Sequence, residues 1–149
     1  MGTINAGAGD SGYVHAGPSG LLSLTIWRIL SALALLAMGG IHLYLVFDGV
    51  GGVLGVTFVL NAIGGLLLAV AMLAPRRLLP LASVLGLLFI VGTLLALVLA
   101  LTVGLFGITE TLSFTLVPTT LVVESIGVIV LAVTTVLAFR VQRTRPRHS

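Results

Sequence analysis

Three side chains that can take up a proton, bind a cation or donate a hydrogen bond lie inside long apolar runs: His42, Asn61 and Glu124. A charged group in hydrocarbon costs about 2.5–3.5 kcal/mol on insertion scales, so each polar position here is a candidate site by default. Glu124 lies about six residues from the near end of its run, roughly 9 Å deep at a helical rise of ~1.5 Å per residue. His42 lies about five residues, and Asn61 about eight, from the corresponding ends of theirs. In an alternating topology those three ends face the same side. The common depth predicts that His42, Asn61 and Glu124 converge on a polar pocket open to that side, where Glu124 or His42 holds a proton, a cation or a polar headgroup. The competing expectation is a desolvated, protonated Glu124 that hydrogen-bonds a neighbouring helix and contributes about 0.6–2 kcal/mol.

Other chemistries lack their residues. Asp48 and Glu110 flank the same side at the surface, and Tyr44, two residues after His42, falls on a different helix face. No two metal-ligating residues sit at i, i+3 or i, i+4 on any run, which leaves little for a metal site. Bis-histidine haem needs two intramembrane histidines, but His15 and His148 lie outside the runs. With no cysteine there is no thiolate chemistry. Ser125 beside Glu124 and Thr109 beside Glu110 have no histidine near them in sequence and read as helix contacts or caps. The expectation is a protein without enzymatic activity, cofactor or bound metal.

The elements that position these residues follow from composition. The chain has 149 residues, 58% hydrophobic and 7% charged, and a mean hydropathy of +1.28. A water-soluble domain carries about 25% charged residues, so a soluble globular fold is excluded and lipid must act as solvent. Four apolar runs predict an all-α transmembrane four-helix bundle with spans at 21–47, 53–74, 78–104 and 118–139. The glycine-rich residues 1–20 read as a flexible tail, 21–140 as one membrane domain, and 141–149 as a basic tail. Residues 105–117 belong at the membrane surface. Within them Thr111 to Leu116 alternate polar and apolar as a half-buried extended segment would, with Phe106, Phe114 and Leu116 against the bundle or headgroups; a short interfacial helix is the alternative.

All the basic residues are arginines: Arg28, Arg76, Arg77, Arg140, Arg143, Arg145 and Arg147. The pI of about 10.7 is therefore a topology signal, and no nucleic-acid partner is expected. Every arginine falls on one side of the four-span arrangement. The positive-inside rule puts both termini and the 75–77 loop in the cytoplasm, with Asp48 and Glu110 outside. The same arginines can touch anionic lipid. Trp27 and Tyr44 sit near opposite ends of the first span, as interface anchors do. Gly39, Gly40, Gly64, Gly65, Gly86, Gly92 and Gly127 give every span a small surface for close packing. The stretch 61–70 aligns without gaps to 124–133, matching Ile63 with Ile126, Gly64 with Gly127 and Leu68 with Leu131. A parallel duplication of a two-helix hairpin would give this match, as would chance within the small alphabet of membrane helices.

At His42 to Gly49, Phe58 to Gly65 and Leu101 to Glu110 the chain resembles a group of small four-span membrane proteins of actinobacteria. The resemblance covers roughly residues 25 to 140. It implies a histidine–leucine pair near the end of the first span, an asparagine in the second, and a Gly-Leu-Phe-Gly segment ending in glutamate after the third; His42, Asn61 and Glu110 occupy those places. Relatives carry a longer, aromatic-rich loop after the first span where this chain has only Asp48 to Gly52, so no role for that loop carries over. The group implies no established activity. From size, glycine-lined helices and missing enzyme residues, the expected function is a non-enzymatic accessory or scaffolding subunit of a larger complex in the cytoplasmic membrane. The alternatives are a small oligomeric proton- or cation-coupled transporter or channel using Glu124 and His42, and a protein that binds lipid or quinone between its helices. Membrane lipid and a protein partner or second copy are the expected partners.

Overall fold

The computed structural model describes residues 18–104, 107, 109, 111–113 and 116–143. Glu110, Phe106, Phe114, Arg145 and Arg147 lie outside the described residues. Four helices follow in order: α1 Pro18–Phe47, α2 Gly52–Leu73, α3 Leu79–Thr102 and α4 Val117–Arg143. No strand occurs among the described residues. The shortest helix has 22 residues and spans about 33 Å, enough to cross a hydrocarbon layer of about 30 Å. All four are long and apolar enough to cross a membrane. The chain is an all-α, multi-pass transmembrane bundle.

Local chemistry sets the helix ends. α1 opens at Pro18, whose fixed φ suits a first turn. α2 stops at Ala74, held extended at ψ 170 because the residue before Pro75 avoids helical geometry. α3 carries Pro80 in its first turn, where a missing N–H breaks no helical bond. It closes on Gly104, whose φ of 83° lets its N–H turn back to the carbonyl of Leu99 at 3.0 Å. α4 runs on to Arg143, so that Arg140 and Arg143 sit in its last turn, where cations favour the helix dipole. Leu112 and Ser113 lie in a turn, and the Thr111 hydroxyl bonds that of Ser113 at 2.9 Å. A lone strand at the membrane surface would have no neighbour to pair with.

Packing follows a period of 3.5. The inward stripe of α4 is Val117, Thr120, Glu124, Gly127, Leu131, Thr134 and Ala138, stepping by three and four in strict alternation. In α1 the matching stripe is Leu24, Arg28, Ser31, Leu35, Met38, His42 and Leu45. α3 contributes Leu79, Ser83, Gly86, Ile90, Thr93 and Ala100, and α2 contributes Gly55, Phe58, Ala62, Gly65, Ala69 and Met72. A sustained heptad seam is the pattern of left-handed helix bundles. The stripes are small and polar, while Leu33, Val70, Leu88 and Ile129 point outward to lipid. This inversion suits a membrane, where association rests on close packing and hydrogen bonds and not on hiding apolar area.

The helices form a ring in which α1 packs on α2 and α4, α3 packs on α4, and the α2–α3 seam is the smallest. α1 and α2 pack closely at Gly65: a Cβ there would stand 2.9 Å from the Leu35 carbonyl oxygen and 3.5 Å from the Gly39 Cα. α1 and α4 are joined by the Ser31 and Thr134 hydroxyls at 2.8 Å, with Thr134 also reaching the Trp27 carbonyl at 3.2 Å. The start of α1, the α2–α3 turn and the end of α4 lie at one end of the bundle.

Candidate functional site

Glu124 is placed by the α4 seam. Its neighbours on that stripe are Thr120 one turn before and Gly127 one turn after, and it is 0% exposed. Gly127 makes room: Ile90 of α3 and Ala34 of α1 both press against its Cα surface. The same α3–α4 register that faces Gly127 with Ile90, and Leu131 with Gly86, brings Thr93 level with Glu124. The Thr93 hydroxyl stands beside the carboxyl and also reaches the Ile90 carbonyl of its own helix at 3.0 Å. Thr120 likewise donates to the Leu116 carbonyl at 2.8 Å. Among the described residues neither carboxyl oxygen of Glu124 has a hydrogen-bond partner.

The chemistry follows from counting protons. A hydroxyl has one hydrogen and two acceptor lone pairs. Thr93 has one hydrogen to share between the Ile90 carbonyl and Glu124; while it bonds its own helix it turns lone pairs toward Glu124, and a carboxylate also offers only lone pairs. Oxygen facing oxygen in a buried site is satisfied by one of two additions: a proton on the carboxyl, which then donates to Thr93, or a cation between the oxygens. A bare carboxylate there would be uncompensated, at a cost far above that of a neutral polar group.

His42 lies on the α1 seam, one turn further toward the Asp48 end than Met38, and is 6% exposed. Its Nδ1 donates to the Met38 carbonyl at 2.9 Å, because a carbonyl can only accept. The neutral ring then keeps the Nε2 lone pair as an acceptor. Phe58 of α2 holds the ring edge-on, with centroids 4.9 Å apart. Asn61 is half-buried on α2, one position off the seam. Gly39 contacts Ala62, so Asn61 sits nearly level with Glu124 and about one turn deeper than His42. The three expected site residues thus share one half of the bundle, but no hydrogen bond joins them. Glu124 and His42 are interior; Asn61 is at the seam's edge.

The remaining candidates take other places. Asp48 is exposed in the turn after α1, with its N–H on the Tyr44 carbonyl at 2.9 Å. Arg76, Arg77, Arg140 and Arg143 are exposed at the opposite end. Arg28 is half-buried and donates from Nε to the Met72 carbonyl at 2.9 Å and from Nη2 to the Ala74 carbonyl at 2.6 Å. It caps two carbonyls at the end of α2 that no helical N–H reaches. The 61–70 and 124–133 match does not preserve facing: Glu124 and Gly127 are on the α4 seam, whereas the α2 seam uses Ala62 and Gly65, one residue out of step with Asn61 and Gly64. Thr93, Thr120, Ser31 and Thr134 belong to the polar interior and were not singled out from sequence. Their signal is the heptad spacing, which links Ser31 to His42 and Thr120 to Thr134 through Glu124.

Comparisons with protein-family models, with curated proteins and with solved structures find no match to this chain.

Proposed function

We propose that this chain is a small proton- or cation-coupled transporter or channel of the cytoplasmic membrane, acting as an oligomer, with Glu124 as the ion-binding group. The carrying observation is the Glu124 carboxyl: fully buried, with no hydrogen-bond partner on either oxygen among the described residues, and faced by the Thr93 hydroxyl, which also bonds its own helix. Thr93 is the second oxygen of the site, and His42, one turn closer to the Asp48 end, is the relay between Glu124 and that side. Both termini lie in the cytoplasm on the strength of the arginine distribution, which makes the Asp48 end the outside. Four spans with so few polar positions give a narrow path through one bundle, hence the oligomer.

The test is flux in liposomes reconstituted with the purified chain, measured with a pH-sensitive dye and with sodium- and potassium-sensitive dyes. Flux that Glu124→Gln abolishes supports the reading. Equal flux in the two proteins, or none in either, refutes it. A second reading, an accessory subunit of a larger membrane complex, draws on α3: only 11% of its most apolar window is buried, leaving a face for a partner's helix. Co-purification with a stoichiometric partner from the native membrane, without flux of its own, would favour that reading.

A further inference from the structure

At the end of the bundle opposite Asp48, two arginines, Arg28 and Arg76, come within electrostatic reach of each other. Arg28 reaches from α1 to the end of α2, where its bonds to the Met72 and Ala74 carbonyls use two of its five N–H groups. Three remain. Arg76 follows Ala74 by two residues, in a turn pinned by the Leu78 N–H on the Pro75 carbonyl at 2.9 Å and the Leu79 N–H on the Arg76 carbonyl at 3.3 Å. The contact that fixes Arg28 therefore also brings Arg76 within electrostatic reach of it. Two cations within reach of each other repel, and the only carboxylates among the described residues, Asp48 and Glu124, lie toward the other end. The pair sits where α2 ends and α3 begins, at the depth at which a span leaves hydrocarbon for headgroups.

We propose that Arg28 and Arg76 form a binding site for the phosphate of an anionic phospholipid. Arg28 is the fixed half, oriented by two backbone carbonyls before any lipid arrives. Arg76, exposed, is the half that closes on the phosphate. Guanidinium groups suit this ligand because their planar N–H pairs match phosphate oxygens in a two-point contact. The acyl chains then lie along the outward Leu and Val of the adjoining helices. This site is independent of Glu124 and of whether anything is transported.

The experiment is native mass spectrometry of the full chain in a neutral detergent, titrated with phosphatidylglycerol or phosphatidylcholine. The expected result is preferential retention of phosphatidylglycerol, weakened about tenfold by Arg76→Gln, the fold-change of one charge-assisted hydrogen bond. Arg143→Gln, which removes an exposed arginine of the same sign from the end of α4, is expected to change retention less than Arg76→Gln does, by about fivefold at most. Arg76 is exposed, so its replacement leaves the fold intact. Equal losses in the two variants would mean a diffuse basic surface and overturn the site. So would equal retention of the two lipids, or displacement of phosphatidylglycerol by an equal concentration of inorganic phosphate.

Discussion

Replacing Glu124 by methionine should stabilise the bundle while removing its function. Without a bound proton or cation, both carboxyl oxygens are shut away from lipid and water and unbonded within the fold. An unsatisfied buried polar group costs about 1–3 kcal/mol, and the penalty falls on the folded state. Methionine has nearly the length and volume of glutamate and adapts to irregular space, so the surrounding Thr93, Thr120 and Gly127 need not move. Glu124→Met should therefore recover about 1–3 kcal/mol of the lost stability. At about 2–4 °C per kcal/mol for a chain of this size, the midpoint of thermal unfolding rises by roughly 2–12 °C. Circular dichroism at 222 nm in a mild detergent, with wild type and variant in the same micelles, reads the shift. A midpoint lowered by several degrees would refute the reasoning, because it would mean that the carboxyl holds helices together and is not an orphan in the native bundle. Glu124→Gln should move the midpoint less, since an amide still needs partners.

Four further outcomes are expected. Gly65→Ala places a methyl group 2.9 Å from the Leu35 carbonyl oxygen; overpacking of about 1–3 kcal/mol outweighs the helix-propensity gain of about 1 kcal/mol, and thermal unfolding moves down. Gly40→Ala meets nothing within 4 Å and should leave the midpoint unchanged or raise it. A double-mutant cycle of Ser31→Ala and Thr134→Val should give a coupling of about 0.6 kcal/mol and no more than about 1.7, the range for interhelical hydrogen bonds in membranes. Arg28→Lys should destabilise by about 1–2 kcal/mol, because an ammonium cannot span the Met72 and Ala74 carbonyls as the planar fork does; unfolding in detergent checks it, and an unchanged midpoint would remove Arg28 as the cap of α2.

The spans were legible because a run of about twenty apolar residues has few other uses, and their ends because Pro75, Pro80 and the glycines around Asp48 leave little choice. The place of Glu124 along its run follows from counting residues. Its facing was not: a membrane helix is apolar on nearly every side, so the contrast that orients a soluble helix is weak. The orienting signal was of another kind, the three-four spacing of small and polar residues in Thr120, Glu124, Gly127 and Thr134, and in Ser31 and His42. A search limited to ionisable ligands passes over it, because Thr93 and Thr120 carry no charge. Asn61 shares the half of the bundle that holds His42 and Glu124 but stands one residue off the α2 seam. The role of Arg28 in capping α2 needed the fold, since 44 residues separate it from Met72.

The most direct test of Glu124 as an exchangeable ion site is its modification by a hydrophobic carbodiimide, which attacks protonated carboxyl groups in apolar surroundings. The purified chain would be treated in liposomes and the modified residue located by peptide mass analysis. The account predicts labelling at Glu124 and not at exposed Asp48, falling as pH rises and suppressed by the cation that the protein carries. No labelling of Glu124, or labelling that neither pH nor any of proton, sodium and potassium gradients alters, would contradict it.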